Sequence, residues 1–237
     1  MSEVKEYGLF IDGKWVESSS GELVNIYSPT DESIVGKVQF GNEVDAQKAL
    51  EAAEKAQQQW KKVPARSRAE LMRAFATEIR ANKDPLAKLL VNEQGKLFSL
   101  AQIEVEVTAT FIEYACDLAR LMEGDIVPSD NPNEHIWIHK IPKGVVVAIT
   151  AWNFPLALAG RKLGPALVAG NSVVLKPTEE TPLTTLELGD IASKVGLPKG
   201  LLNILTGTGE VLGNALVRHP LTKMVTMTGS TPAGKSI

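Results

Sequence analysis

The sequence has little of what several classes of protein require. It contains a single cysteine among 237 residues, which excludes an internal disulfide and favours a reducing compartment, so we expect a cytoplasmic protein. No apolar run approaches the roughly 20 residues of a membrane-spanning helix, and the acidic, polar N-terminus lacks the pattern of a secretory signal. The net charge of −3 gives no electrostatic reason to expect a nucleic acid or an anionic membrane as a partner.

Histidine and cysteine are also scarce, with three residues and one residue. His135 and His139 alternate with isoleucines in a strand-like stretch, which would place them about 13 Å apart, too far to share a metal ion. We therefore predict no metal site. Cys116 lies in a helical pattern far upstream of the other candidate residues, and a buried thiol behaves as a small hydrophobic group. A structural role is predicted for it rather than a catalytic one.

The first half of the sequence predicts a hairpin followed by helices. The hairpin turns at Asp12-Gly13, and apolar periodicity predicts helices up to Gly124. Three N-terminal caps are predicted: Asn42, Asp84 with Pro85 at the first helical position, and a capping box of Ser99 with Gln102. The last helix of the series is expected to turn one apolar face towards the core, made of Ile103, Val107, Tyr114, Leu118 and Leu121.

The pattern changes after Gly124. Two short extended segments flank an Asn-Pro-Asn turn, and four short apolar runs follow, "VVVAIT", "SVVLKP", "LLNILTG" and "KMVTMTG". Each run precedes a helical pattern, the second of which is predicted to have Thr181 as its cap and Pro182 as its first residue. Such repeats indicate a doubly wound α/β fold with a parallel, Rossmann-like sheet. Ligands bind such sheets beyond the carboxyl ends of the strands.

Polar groups follow the first two of these strands. Asn153 comes after the first strand, where its amide would either donate to an oxyanion or cap the next helix. Lys176 and Glu179 come after the second strand. A carboxylate at this position would accept from the ribose 2′-hydroxyl and repel a 2′-phosphate, so Glu179 favours NAD over NADP. The alternative is an exposed salt bridge on a loop.

Glycines and a serine follow the other two strands. Gly207, Gly209 and Gly213 are spaced as G-x-G-x-x-x-G, which fits either a nucleotide-binding turn or a plain glycine turn before a helix. Gly229 and Ser230 precede the last helix. The serine hydroxyl and the free amides at this helix start could bind a phosphate, or the serine could be an ordinary helix cap. Candidate ligand groups at four successive strand ends favour one bound nucleotide.

Together these motifs resemble the NAD(P)-dependent aldehyde dehydrogenase superfamily, over the whole chain and in order. The stretches that carry the resemblance are "FIDGKWV", "WNFP", "KLGPALVAGNSVVLKPTEETP", "GLPKGLLNILTG" and "MTGSTPAG". The resemblance implies an NAD-binding domain over residues 1–124 and 143–237, incomplete at its C-terminus, and an oligomerisation arm over residues 125–142. The segment "EGDIVPSD" resembles the lactaldehyde and glycolaldehyde dehydrogenase branch of this superfamily.

The resemblance also implies roles for individual residues. Asn153 would be one oxyanion donor, although Ala151 stands where many members have proline. The other implied positions would hold the cofactor or lie near it: Lys176 and Glu179 at the adenosine ribose, Gly209 and Gly213 near the cofactor, Gly229 and Ser230 at the pyrophosphate, and Thr150 and Trp152 lining its path.

In such enzymes a cysteine thiolate attacks the aldehyde, hydride passes to NAD, and a glutamate activates the water that releases the acid. We expect that cysteine, that glutamate and the catalytic domain to lie beyond Ile237. The chain is then the N-terminal part of an NAD-dependent aldehyde dehydrogenase that acts on a small aldehyde, assembles as a homo-oligomer and is inactive alone. Two alternatives stay open: a non-catalytic binding, assembly or split-enzyme module, and a truncated gene product without function.

Overall fold

The computed structural model describes residues 4–237, so the first three residues of the predicted range 1–124 lie outside it. Five short strands begin the fold: β1 (Glu6–Tyr7), β2 (Leu9–Ile11), β3 (Lys14–Val16), β4 (Glu22–Tyr27) and β5 (Ile34–Phe40). β5 pairs with β1 and β4 in a three-stranded sheet, and β2 and β3 form the predicted hairpin. Its turn residues Asp12 and Gly13 both have positive φ, the conformation that a tight hairpin turn requires.

Four helices follow: α1 (Glu43–Trp60), α2 (Ala65–Ala81), α3 (Lys83–Gln94) and α4 (Phe98–Asp117). The predicted cap of α1 is confirmed, because the Asn42 side chain accepts from the amides of Val44 and Asp45. The other two predicted caps are wrong. α3 begins at Lys83, so Asp84 lies inside its first turn, and α4 begins at Phe98, directly before the predicted capping box. Gln102 instead donates to Asp84, which joins the two helices.

The predicted core face of α4 is also wrong. Ile103 is 57% exposed and Tyr114 is 63% exposed, and the other members of the predicted face also lie outside the core or at its edge. The face that packs inwards carries small and polar residues beside the large apolar ones: Ala101, Glu104, Val105, Thr108, Ala109, Ile112, Ala115 and Cys116. α4 has apolar residues on both faces, and the buried face is set by close approach to a later helix.

The second half contains the parallel sheet. Its elements are β8 (Val145–Ile149), α5 (Pro155–Val168), β9 (Ser172–Lys176), α6 (Leu183–Lys194), β10 (Leu202–Ile204), α7 (Asn214–Arg218), β11 (Thr222–Met227) and α8 (Thr231–Ser236), preceded by the two strands β6 (Asp125–Pro128) and β7 (His135–Ile138). The strand order is β11-β8-β9-β10-β2-β3, with the first four strands parallel. This confirms the Rossmann-like α/β fold. The early hairpin extends the sheet, since β2 pairs antiparallel with β10.

The sheet is covered on both faces. Val146 and Ala148 of β8 belong to the core formed with α2, α4, α5 and α6, whereas Val145 and Val147 belong to the core formed with α1 and α7. Chain order reverses between β8 and β11, which makes their carboxyl ends the topological switch point of the sheet.

The strands β6 and β7 form a separate antiparallel ribbon. All eight of their residues are exposed, including Ile126 and Trp137, and among residues 4–237 they pair only with each other. The ribbon falls within residues 125–142, the range predicted as an arm.

Candidate functional site

A cavity of about 130 Å³ opens at the carboxyl edge of the sheet. Lys176 lines it at the end of β9, and Gly209 and Gly213 line it from the single π-helical turn between β10 and α7. The remaining walls come from the ends of β8 and β11 and from α7 and α8 (Ile149, Asn214, Val217, Met227, Ala233, Ser236 and Ile237). Three of the residues predicted from sequence thus meet in one cavity at the switch point.

Lys176 and Glu179 form an ion pair beside this cavity. The Nζ atom of Lys176 lies 3.0 Å from Oε1 of Glu179; the ammonium is buried and the carboxylate is about one-third exposed. Burial lowers the pKa of Lys176, and the Glu179 carboxylate opposes that shift. The pair therefore presents a donor and an acceptor side by side, which is the arrangement that vicinal sugar hydroxyls can bridge.

The glycines of the cavity are not required by the protein's own packing. A Cβ atom added at Gly209 would meet nothing within 4 Å, and one at Gly213 would lie 3.9 Å from the Thr208 carbonyl oxygen, an ordinary contact. Gly213 also has φ and ψ in the right-handed helical region, which any residue adopts. Their lack of side chains leaves room in the cavity itself, as a nucleotide would need.

The end of β11 is held by a lysine that sequence analysis missed. Lys162 on α5 donates to Oγ1 of Thr228 over 2.9 Å and of Thr226 over 3.3 Å, joining the helix to the strand at the switch point. Beyond the strand, Ser230 caps α8 by accepting from the Ala233 amide, so its ordinary structural role is present. Gly229 is exposed beside it.

The turn between β8 and α5 lies at the same edge but outside the cavity. Thr150 is buried, and its hydroxyl finds no partner among residues 4–237, while its neighbour Ile149 faces the cavity. Trp152 and Asn153 are exposed. The alternative that Asn153 caps α5 is wrong: Phe154 occupies the cap position, and no side-chain cap is made there.

Two buried glutamates cap the helices that follow β8 and β9. Glu104 on α4 accepts from the amides of Leu156 and Ala157 at the start of α5. Glu93 on α3 accepts from the amides of Leu183 and Thr184 at the start of α6. The predicted cap Thr181 is wrong, since the cap position is Pro182 and carries no side-chain bond. Side-chain oxygens of glutamates on distant helices thus accept from the free amides at the two helix starts.

The buried side chain of Glu93 should make the free energy of unfolding depend on pH. Burial raises its pKa to about 7, against an unfolded value near 4.5. Between pH 4.5 and pH 7 the folded protein keeps a proton on Glu93 that the unfolded chain releases. The stabilisation that Glu93 contributes is therefore full below pH 4.5 and is lost as the pH rises through 7. Glu93→Gln should remove a slope of about 1 kcal/mol per pH unit between pH 5 and pH 6.5. Urea denaturation across that range measures it, and an unchanged slope contradicts the assignment.

Cys116 is a structural residue in α4. It is 4% exposed, and burial raises its pKa to about 11, so it is not a thiolate near neutral pH. It does not line the cavity at the strand ends.

We expect Cys116 to react slowly with a thiol reagent at pH 8 and at the normal rate of a free thiol in denaturant, because only the unfolded chain exposes it. Cys116→Ala should leave NAD binding by the purified chain unchanged. Fast labelling of the folded chain, or loss of NAD binding in the variant, would show that the thiol has a role at the site.

Within residues 4–237 there is no group of three or more histidine, cysteine, aspartate or glutamate side chains arranged to hold a metal ion. No described helix is both long enough and apolar enough to span a bilayer.

A family model and several known proteins match this chain over most of its length. The model described as "Aldehyde dehydrogenase family" matches residues 15–237. A 3,6-anhydro-alpha-L-galactose dehydrogenase of Vibrio sp. (strain EJY3) is 61% identical over 234 residues, 99% of this chain and 49% of that protein. Lactaldehyde dehydrogenase of Escherichia coli (strain K12) is 39% identical over 237 residues, all of this chain and 50% of that protein. This chain therefore spans about half the length of these relatives.

Solved structures agree. A 3,6-anhydro-L-galactose dehydrogenase in complex with NAP superimposes with a TM-score of 0.96 at 61% identity, covering 98% of this chain and 48% of that one. A lactaldehyde dehydrogenase from Escherichia coli superimposes with the same TM-score at 38% identity, covering 98% of this chain and 49% of that one.

Proposed function

The chain belongs to the aldehyde dehydrogenase family, and we propose that it is the N-terminal, cofactor-binding part of an NAD-dependent enzyme that oxidises an aldehyde to a carboxylic acid. The observation that carries this proposal is the cavity where Lys176, Gly209 and Gly213 meet at the switch point. The open space at its glycines leaves room for a nucleotide, and the Lys176–Glu179 pair offers a donor and an acceptor for the hydroxyls of its ribose.

When bound, NAD accepts the hydride that leaves the substrate. The chain's own residues would bind and orient it. Lys176 and Glu179 would hold the adenosine ribose, Lys176 as donor and Glu179 as acceptor, and Gly209 and Gly213 would leave space for the nucleotide. Gly229 and Ser230 are proposed to meet the pyrophosphate, with Thr150 and Trp152 along its path.

Asn153 is the residue we assign to the reacting end. Its side-chain amide makes no hydrogen bond with residues 4–237, so both N–H groups are available to donate to an oxyanion that develops on the substrate. We propose that the nucleophile and the general base come from outside this chain, since the only cysteine is buried in α4. The isolated chain should then bind cofactor without turning over aldehyde.

We propose a preference for NAD over NADP because the Glu179 carboxylate repels a 2′-phosphate. Calorimetry with both cofactors tests this, with Glu179→Ala as the variant and Glu180→Ala, an exposed neighbouring glutamate, as the matched control. The wild type and the control should bind NAD more tightly, and Glu179→Ala should lose the preference. Equal binding of NAD and NADP by the wild type contradicts the assignment.

The names of the relatives support a substrate class. Lactaldehyde and 3,6-anhydrogalactose both carry a hydroxyl on the carbon next to the aldehyde, and relatives named for them are 39% and 61% identical to this chain. We propose that the substrate is a small 2-hydroxyaldehyde.

A second candidate function is assembly. The β6–β7 ribbon exposes Ile126 and Trp137. Tyr114 of α4 and Leu121 beyond its end are exposed as well, so apolar side chains are available to another subunit. We propose that the ribbon pairs copies of the chain as a homo-oligomer. Trp137→Ser should shift the oligomer towards monomer in analytical ultracentrifugation, and a monomeric wild type contradicts the proposal.

A further inference from the structure

The turn that carries Asn153 has no core packing of its own. Trp152 is 59% exposed and Phe154 is 48% exposed, and the start of α5 has no side-chain cap from the turn. An oxyanion donor works only when its position is fixed before the reaction. Something outside the turn must therefore hold Asn153 in place.

Two side chains contact the Asn153 carbonyl oxygen, one from the last residue of α3 and one from the segment that joins α3 to α4. The Nε2 atom of Gln94 lies 2.9 Å from it and also donates to the Trp152 carbonyl over 3.3 Å. The Nζ atom of Lys96 lies 3.0 Å from the same Asn153 oxygen. Since Gln94 faces two carbonyl oxygens, its amide nitrogen must point towards the turn.

Lys96 is itself held in place. Its ammonium lies 3.9 Å from the centroid of the Phe154 ring and forms an ion pair with the buried carboxylate of Glu104. The lysine side chain is 9% exposed, and that of Glu104 is fully buried. Glu104 uses its other oxygen to cap α5 through the Leu156 and Ala157 amides.

These contacts form one connected clamp of Gln94, Lys96 and Glu104 around the turn. It fixes the Asn153 carbonyl from one side and the start of α5 from the other. The Asn153 carbonyl oxygen is held by two donors, and the side-chain amide of Asn153 is left free. A hydrogen bond to a charged group is about twice as strong as a neutral one, so Lys96 contributes the larger share.

We propose that Lys96 is a positioning residue for Asn153: with Gln94 it fixes the Asn153 carbonyl, and through Glu104 it couples the oxyanion donor to the start of α5. This inference rests on the proposed function for the role of Asn153, whereas the clamp itself is measured independently of activity.

The test compares backbone order parameters from ¹⁵N relaxation at Asn153 and Phe154 in the purified chain. Lys96→Met alone would leave a buried, unpaired carboxylate and risks unfolding. The main variant is therefore Lys96→Met with Glu104→Gln, which keeps an oxygen to cap α5 and leaves no buried charge. Gln94→Met removes the second donor, Lys96→Arg restores charge and N–H donors, and Lys61→Met changes an exposed lysine as the matched control.

We expect order parameters of about 0.85 at both positions in the wild type, in Lys61→Met and in Lys96→Arg, and values below about 0.6 in the double variant. Gln94→Met should give intermediate values. Unchanged order parameters in both the double variant and Gln94→Met would overturn the proposal.

NAD calorimetry on the same samples separates the two proposals. Lys96 does not line the cavity, so any change in NAD affinity in these variants would act through the turn that carries Trp152. If the wild type itself binds no NAD, the proposed function fails, while the order parameters still decide whether the clamp holds Asn153.

Discussion

Replacing Gly213 with leucine is expected to weaken NAD binding by about a hundredfold, equal to about 2.7 kcal/mol, with little change in stability. Gly213 lines the cavity of about 130 Å³ at the strand ends, and a leucine side chain would occupy much of that space. The backbone there is helical and an added Cβ atom makes only ordinary contacts, so the fold tolerates the change. Stability should stay within about 0.5 kcal/mol of the wild type.

Calorimetry and urea denaturation on the same samples measure both effects. Val211→Leu is the matched control, because Val211 lies in the same π-helical turn, is 41% exposed and does not line the cavity. The control should bind NAD normally. Normal NAD binding by Gly213→Leu would show that the nucleotide does not occupy this cavity.

Replacing Ile112 with alanine is expected to cost about 2–5 kcal/mol of unfolding free energy, whereas Ile103→Ala should cost less than about 0.5 kcal/mol. Both are isoleucines on α4, and their exposures are 0% and 57%. The first change leaves a cavity in the core, and the second removes an exposed side chain.

This pair tests which face of α4 is buried. Chemical denaturation of the purified chain measures both costs. Equal costs, or a larger cost for Ile103→Ala, would mean that the face predicted from apolar periodicity packs inwards after all.

The core face of α4 was predicted wrongly from the sequence because of the way in which α4 packs against α5. Gly160 and Gly164 of α5 approach α4 so closely that an added Cβ atom would lie 2.7 Å from Cγ2 of Thr108 or 3.0 Å from Cα of Ile112. Such close approach requires small residues on the buried face, such as Ala109. Periodicity ranks residues by hydrophobicity, so it selected the larger apolar side chains of the opposite face.

The positions of the residues proposed to bind the cofactor were predictable from the sequence because the topology of the sheet determines them. Each short apolar run predicts a parallel strand, and parallel strands bring their carboxyl ends to one edge. Lys176, Gly209 and Gly213 follow different strands yet meet in one cavity. Their roles in binding remain predictions.

The residues that support the site were not predictable in this way. Lys162 binds Thr228, 66 positions later, and Lys96 binds the Asn153 carbonyl, 57 positions later. Glu93 caps a helix that begins 90 positions after it. Such contacts depend on how separate elements pack, and no local spacing in the chain signals them. Local rules likewise assigned the caps of α3, α4 and α6 to nearby residues, although the amides at the start of α6 are satisfied by Glu93 on α3.

The most direct test of the account is a titration of the ¹⁵N-labelled chain with NAD, followed by amide chemical shifts. The account predicts that the shifts that move cluster at Lys176, Gly209, Gly213 and the ends of β8 and β11. The surface groove between α3 and α6, lined by Tyr7 and Lys194 among others, should not respond. Shifts confined to that groove, or no shifts at millimolar NAD, would contradict the claim that the strand ends form a nucleotide site.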